Sequence, residues 1–141
     1  MSFGGAPRAV VVDASVAVGF VRGDAGWAER WIEWAESGAI VIAPPHFPAE
    51  VANALLRSVK LPAAEVALQL DRLFRSGIDA VRPEQPALLE AVSLADQHRL
   101  TVYDALYLQL ALDLDAELAT LDGDLIAAAR AEDVDLVDAS R

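Results

Sequence analysis

A chain of 141 residues, 55% hydrophobic and 23% charged, has the length of one domain spanning residues 1–141 and too much apolar material for extended disorder. Its 22 acidic and 11 basic residues give a net charge of −11, which repels nucleic acid at long range and favours a basic protein partner. The absence of cysteine excludes disulfides, thiolate zinc sites and a thiol nucleophile. The start lacks the pattern of a secretory signal, and no window supplies the roughly 20 apolar residues that span a bilayer. A soluble, cytoplasmic protein with no membrane role is therefore expected, and the high apolar fraction adds the expectation of an interface with a second chain.

Short β-branched runs alternate with longer helical patterns, which predicts a parallel sheet covered by helices. In chain order the reading is a strand over residues 9–12, helices over 15–21 and 25–37, and a strand over 39–43. Helices over 49–59 and 63–75, a strand over 78–82 and helices over 85–98 and 104–112 come next, before a strand over 117–121, a helix over 125–131 and a strand over 134–137. Trp27, Trp31 and Trp34 recur at i, i+4 and i+7 on the second helix, a spacing that suits the core better than a partner groove. Pro44, Pro45 and Pro48 cannot donate to a ladder, so the second strand stops before them, and Pro48 suits the first turn of the next helix. In the fourth helix Val66, Leu70, Leu73 and Phe74 share one face, and Gly77 closes it with a left-handed cap.

Four carboxylates interrupt apolar surroundings along this series. Asp13 ends the first strand, Glu50 follows the prolines, Asp104 is the only charge between Leu100 and Leu112, and Asp122 follows the fourth strand. A buried carboxylate needs a partner, a proton or a metal ion. Reactive groups in open parallel sheets gather beyond the carboxyl ends of the strands, where all four could converge. Helix capping competes as the role of Asp13 or Ser15, where both roles can hold together with Ser15 capping and steering the Asp13 carboxylate, and as that of Asp104 at the start of its helix. Near the end, Asp124 is better placed than Asp122 to cap the helix over residues 125–131, which leaves Asp122 without a structural task. Thr120, two residues before Asp122, points to the same side if both continue the strand. Glu50, Asn53 and Arg57 form one polar stripe, which is either a solvated face or a set in which Asn53 stands beside a metal-bound Glu50 and Arg57 meets a phosphate.

His46 and His98 are the only histidines, too few for imidazole zinc sites or Ser-His-Asp triads, and His98 reads as a helix-end residue. Neither a dinucleotide loop nor a P-loop is present. An all-oxygen site points to magnesium or manganese, whose characteristic service is phosphoryl transfer to water.

Taken together, Val10-Val11-Val12-Asp13-Ala14-Ser15, Pro48-Ala49-Glu50-Val51-Ala52-Asn53, Val102-Tyr103-Asp104-Ala105-Leu106-Tyr107 and Ala119-Thr120-Leu121-Asp122 resemble, in order and spacing, the motifs of the PIN-domain ribonucleases. The resemblance is greatest to the toxin subunits of VapBC-type toxin–antitoxin pairs and covers nearly the whole chain. It implies an α/β three-layer sandwich with a five-stranded parallel sheet of order 3-2-1-4-5. It also implies cleavage of RNA with Mg2+, or Mn2+, held by Asp13, Glu50, Asp104 and Asp122 as the catalytic acids, with Ser15, Asn53, Thr120 and Asp124 in support. A cognate antitoxin and a homodimeric assembly are further implications. Two rivals stand beside this reading. One is a catalytically silent module of the same fold that binds an antitoxin-like partner. The other is an acid-cluster phosphotransfer domain, which is disfavoured because Lys60 lies far from any strand end and Ser15 stands where a second aspartate is needed.

Overall fold

The computed structural model describes residues 8–138. The valine run at its start forms β1 (Ala9–Val12), whose Val10, Val11 and Val12 are completely buried. β-branched residues that lose all solvent suit a strand covered on both faces. Next come α1 (Ala14–Val21), α2 (Ala25–Ser37), β2 (Ile40–Ala43), α3 (Phe47–Arg57), α4 (Ala63–Arg75) and β3 (Asp79–Ala80). The chain continues through α5 (Gln85–His98), α6 (Val102–Leu114), β4 (Glu117–Ala119) and α7 (Gly123–Ala131).

The strands are parallel in the order β3-β2-β1-β4. β1 sits at the centre, with Val10 opposite Val41 of β2 and Glu117 of β4. The expected fifth strand is not formed as a strand. Residues 134–137 make a single parallel bridge, Leu118 to Leu136, supported by Leu118 N–H to the Asp135 carbonyl and Val137 N–H to the Leu118 carbonyl. The segment lies where a fifth strand would, but Asp133 at φ 57° is followed by a backbone that meets β4 at this one point. β3 is likewise shorter than expected, because Pro83 and Glu84 lead at once into α5, and both of its residues are exposed.

Two groups of helices flank the sheet. α1 contacts α2 and α3, and α3 contacts α4; in the other group α6 lies against α5, α7, β1 and β4. α6 is the most deeply placed, with residues 105–111 all buried. Trp27 and Trp34 enter the core, whereas Trp31 is half-buried and stacks on Phe20 with ring centres 4.8 Å apart. On α4, Val66 and Leu73 are buried but Phe74 is 64% exposed, so the apolar face ends one residue earlier than its spacing suggests. Gly77 closes that helix at φ 86°. Among the described residues no helix is long and apolar enough to cross a membrane.

Candidate active site

Asp13 is the residue at which β1 stops and α1 begins. Its backbone N–H donates to the Ala119 carbonyl at 3.1 Å, which joins the ends of the two central strands. Its side chain is the N-cap of α1, accepting from Val16 N–H at 3.3 Å. Oδ1 also accepts from Ser15 Oγ at 2.5 Å, and Oδ2 accepts from the buried Thr120 hydroxyl. Both the capping and the steering expected of this motif are therefore present, with Asp13 as the cap and Ser15 as the steering group. Burial pushes the Asp13 carboxyl up to about 6; the bonds from Ser15, Thr120 and Val16 oppose the rise, and the charge of Asp122 adds to it.

The same hydroxyls tie the far end of β4 to this point. Ser15 Oγ accepts from Leu121 N–H at 2.9 Å, and Thr120 Oγ1 accepts from Asp122 N–H at 3.0 Å. Asp122 then caps α7, with Oδ1 accepting from Leu125 N–H at 3.0 Å. This reverses the expectation for the last motif. Asp124 lies exposed in the first turn of α7, because the helix starts at Gly123, two residues earlier than the apolar pattern indicates.

Asp104 stands in the first turn of α6 but does not cap it. Thr101 does so, accepting from Asp104 N–H at 3.0 Å. The Asp104 carboxyl is raised above its ordinary value, first by burial, then by Asp122 and Glu50; the Thr101 bond and His46 oppose the rise. Glu50, in the first turn of α3, is held from two sides. Tyr107 Oη donates to Oε1 at 2.6 Å, and His46 Nε2 lies 3.1 Å from the same oxygen. His46 Nε2 also lies 3.1 Å from the Tyr103 carbonyl, so it faces two acceptors and is the protonated ring nitrogen. The His46 ring meets Tyr103 and Tyr107 edge-on, with centres 5.4 and 5.1 Å apart. Burial, donation to Glu50, and the charges of Glu50, Asp13 and Asp104 keep the Tyr107 phenol far above its ordinary range.

The repulsions between Asp13 and Asp122, Asp104 and Asp122, and Asp104 and Glu50 link all four acids in one electrostatic cluster. Among the described residues none of them is paired with an arginine or lysine. They are neighbours without forming a cage: among the described residues no group of three or more acidic, histidine or cysteine side chains is arranged to hold a metal ion. Both oxygens of Asp13, one of Asp122 and one of Glu50 accept from protein donors. The donor chemistry nevertheless suits a hard divalent cation, because oxygen ligands with unbalanced negative charge are its preferred surroundings. Asn53 is exposed and makes no side-chain hydrogen bond among the described residues. Arg57 lies in the last turn of α3, about 10 Å along the helix from Glu50 at 1.5 Å per residue.

Sequence reasoning missed His46, Tyr103 and Tyr107 as members of this cluster. Their signal was helical spacing: His46 precedes Glu50 by four residues, and Tyr107 follows Asp104 by three, so each shares a face with an acid.

The PIN-domain family profile matches residues 10–131, and the chain belongs to that family. No curated protein matches it significantly by sequence. Among solved structures it is similar to VapC20 of Mycobacterium tuberculosis, a sarcin-ricin loop cleaving toxin, at 21% identity over 84% of this chain and 94% of that one, with a TM-score of 0.64. It is also similar to VapBC2 of Rickettsia felis bound to a promoter DNA fragment, at 16% identity over 92% and 97% of the two chains and a TM-score of 0.68. PAE2754 from Pyrobaculum aerophilum superposes with 23% identity over 87% of each chain and a TM-score of 0.63. These likenesses are of fold.

Proposed function

We propose that the chain is a divalent-metal-dependent endoribonuclease, the toxin of a toxin–antitoxin pair. The observation that carries this reading is the cluster of Asp13, Glu50, Asp104 and Asp122 at the carboxyl edge of the sheet, with mutual repulsion and no balancing arginine or lysine among the described residues. Those four acids would hold Mg2+ or Mn2+, which supplies an activated water for in-line attack on phosphorus and offsets charge on the departing oxygen. The protein's own part is positioning. Ser15 and Thr120 fix both oxygens of Asp13, Tyr107 and His46 fix Glu50, and the α7 cap fixes Asp122. Asn53 and Asp124, both exposed, are proposed as outer supports that meet the ion or substrate only in the assembled complex.

A cognate antitoxin as inhibitor fits the net charge of −11, which favours a basic partner. Exposed Leu88, Leu89 and Val92 on α5 offer apolar surface to a second copy in a homodimer, and a cytoplasmic setting belongs to the same proposal. The second reading, a silent module that keeps the acids for a partner's arginines, draws support from the uncaged side chains. Cleavage of a panel of structured RNAs separates the two. The nuclease reading expects cutting in magnesium or manganese that a chelator stops and Asp13→Asn lacks; metal-independent cutting, or none by partner-free protein, overturns it.

A further inference from the structure

The helix that carries Asp104 and Tyr107 holds one more polar group, which the acid cluster does not use. Gln109 interrupts the apolar run from Leu108 to Ala111, is only 3% exposed, and makes no side-chain hydrogen bond among the described residues. A buried amide without a protein partner is costly and calls for a role. Gln109 is not sealed in the core as Trp34 Nε1 is; it lines a cavity of about 360 Å³ between the end of β2, the segment after β3, α5 and α6. None of the four acids lines that cavity.

The deep wall is apolar, with Pro44 and Leu106 buried and Pro83 half-buried. The mouth is charged, since Arg82, Glu84, Glu90 and Asp113 are all exposed there, and none of them is in a salt bridge among the described residues. Three acids against one arginine leave it net negative. On α5, Ala87 and Glu90 face the cavity at i and i+3, whereas the exposed Leu88 and Val92 share a different face at i and i+4. The surface offered above to a second copy is therefore not the mouth.

We propose that this cavity binds an unphosphorylated nucleoside with an amino group beside a ring nitrogen, at a site separate from the acid cluster and independent of the nuclease reading. The chemistry narrows the ligand from three sides. A carboxamide offers a donor beside an acceptor, so its full complement is a ligand edge with an acceptor beside a donor; glutamine pairs in this way with the amino group and ring nitrogen of adenine. Proline and leucine walls suit the flat apolar faces of a heterocycle, and the volume lies in the range of small-molecule pockets. The net negative mouth repels phosphate and carboxylate, while ribose hydroxyls can donate to its carboxylates.

Calorimetric titration of the full-length protein with adenosine, AMP, and purine riboside, which lacks the amino group, tests the site. Adenosine should bind, and AMP and purine riboside should each bind more weakly. Gln109→Met, which keeps the bulk and removes the amide, should weaken adenosine by about 5- to 150-fold, the equivalent of one bidentate carboxamide–base pair. Without ligand the same variant should be at least as stable as the parent in urea, because the amide it removes has no protein partner. Glu90→Gln combined with Asp113→Asn should narrow the gap between adenosine and AMP. Asp13→Asn should bind adenosine as the parent does, with or without magnesium. No adenosine binding at millimolar concentration would mean a cavity that serves water only, and overturns the site. So do AMP binding as tight as adenosine, normal binding by Gln109→Met, and a large loss of ligand-free stability in that variant, which would give the amide a task in the fold. Binding lost in Asp13→Asn overturns it too, by placing the nucleoside at the acid cluster.

Discussion

At the scale of single residues, the charge on Asp13 sets a pH dependence whose sign follows from burial. Its carboxyl moves from 3.8 to about 6 on folding, so between those values the folded chain holds the proton more tightly than the unfolded one. Stability contributed by this group is intact below 3.8 and lost as pH rises through about 6, a loss of roughly 3 kcal/mol at 1.36 kcal/mol per pKa unit. Metal-free Asp13→Asn, which can still accept from Val16, should therefore exceed the parent in stability above pH 6 by up to that amount. Denaturant unfolding with chelator, repeated from pH 4 to 8, should show the gap closing towards the acid end; a constant gap would assign the effect to packing. Tyr107 and Glu50 offer a second residue-level test. A double-mutant cycle of Tyr107→Phe and Glu50→Gln should return a coupling of about 1.5–3 kcal/mol, the worth of a hydrogen bond to a charged group, and a coupling near zero would mean that water replaces the phenol without loss.

At the scale of elements, the sheet is strong at its centre and weak at its margin. Leu118 on β4 is fully buried, whereas Leu136, its bridge partner, is half-buried on a segment held at one point. Leu118→Ala should cost about 2–5 kcal/mol and Leu136→Ala under about 2, measured by urea unfolding, and equal costs would show that residues 134–137 act as a full strand after all. The reach of sequence reading follows the same gradient. α2, α4 and α5 and the central strand were legible to the residue, because the apolar pattern is regular there and Pro62 and Pro86 mark the starts of α4 and α5. The starts of α3, α6 and α7 were not: Pro48 and the pair Gly123-Asp124 interrupt the apolar stripe in the first turns of α3 and α7, and α6 begins two residues before Asp104 because Thr101 caps it. That offset also explains the cap at Asp122 rather than Asp124. The positions of the four acids at strand ends and first turns could be read, because an isolated acid against an apolar run is conspicuous. The bond from Ser15 to Asp13 could be read too, because it is local, whereas the bond from Thr120 could not, since it joins residues 107 positions apart.

At the scale of the molecule, the acid cluster makes the metal-free protein electrostatically frustrated, and a bound cation should relieve that. Magnesium or manganese should raise the midpoint of thermal unfolding, with a gain near 2.7 kcal/mol at a hundredfold excess over Kd. Asp104, whose carboxyl is raised by burial and by two neighbouring acids, supplies the control. Asp104→Asn should be as stable as the parent, or more so, without metal and should gain nothing when metal is added. A large loss of metal-free stability would make Asp104 a residue of the fold instead.

The bond between Thr120 and Asp13 closes a separation of 107 positions, and Asp122 lies 109 positions beyond Asp13. A ribosome adding 5–20 residues per second needs roughly 5–20 s to cover that distance. Throughout that interval the emerging polypeptide holds only part of its acid set, and β1 has no β4 to pair with. The chemistry proposed for this protein therefore cannot begin on a nascent or prematurely terminated chain, and any inhibitor translated alongside it has that interval in which to fold first.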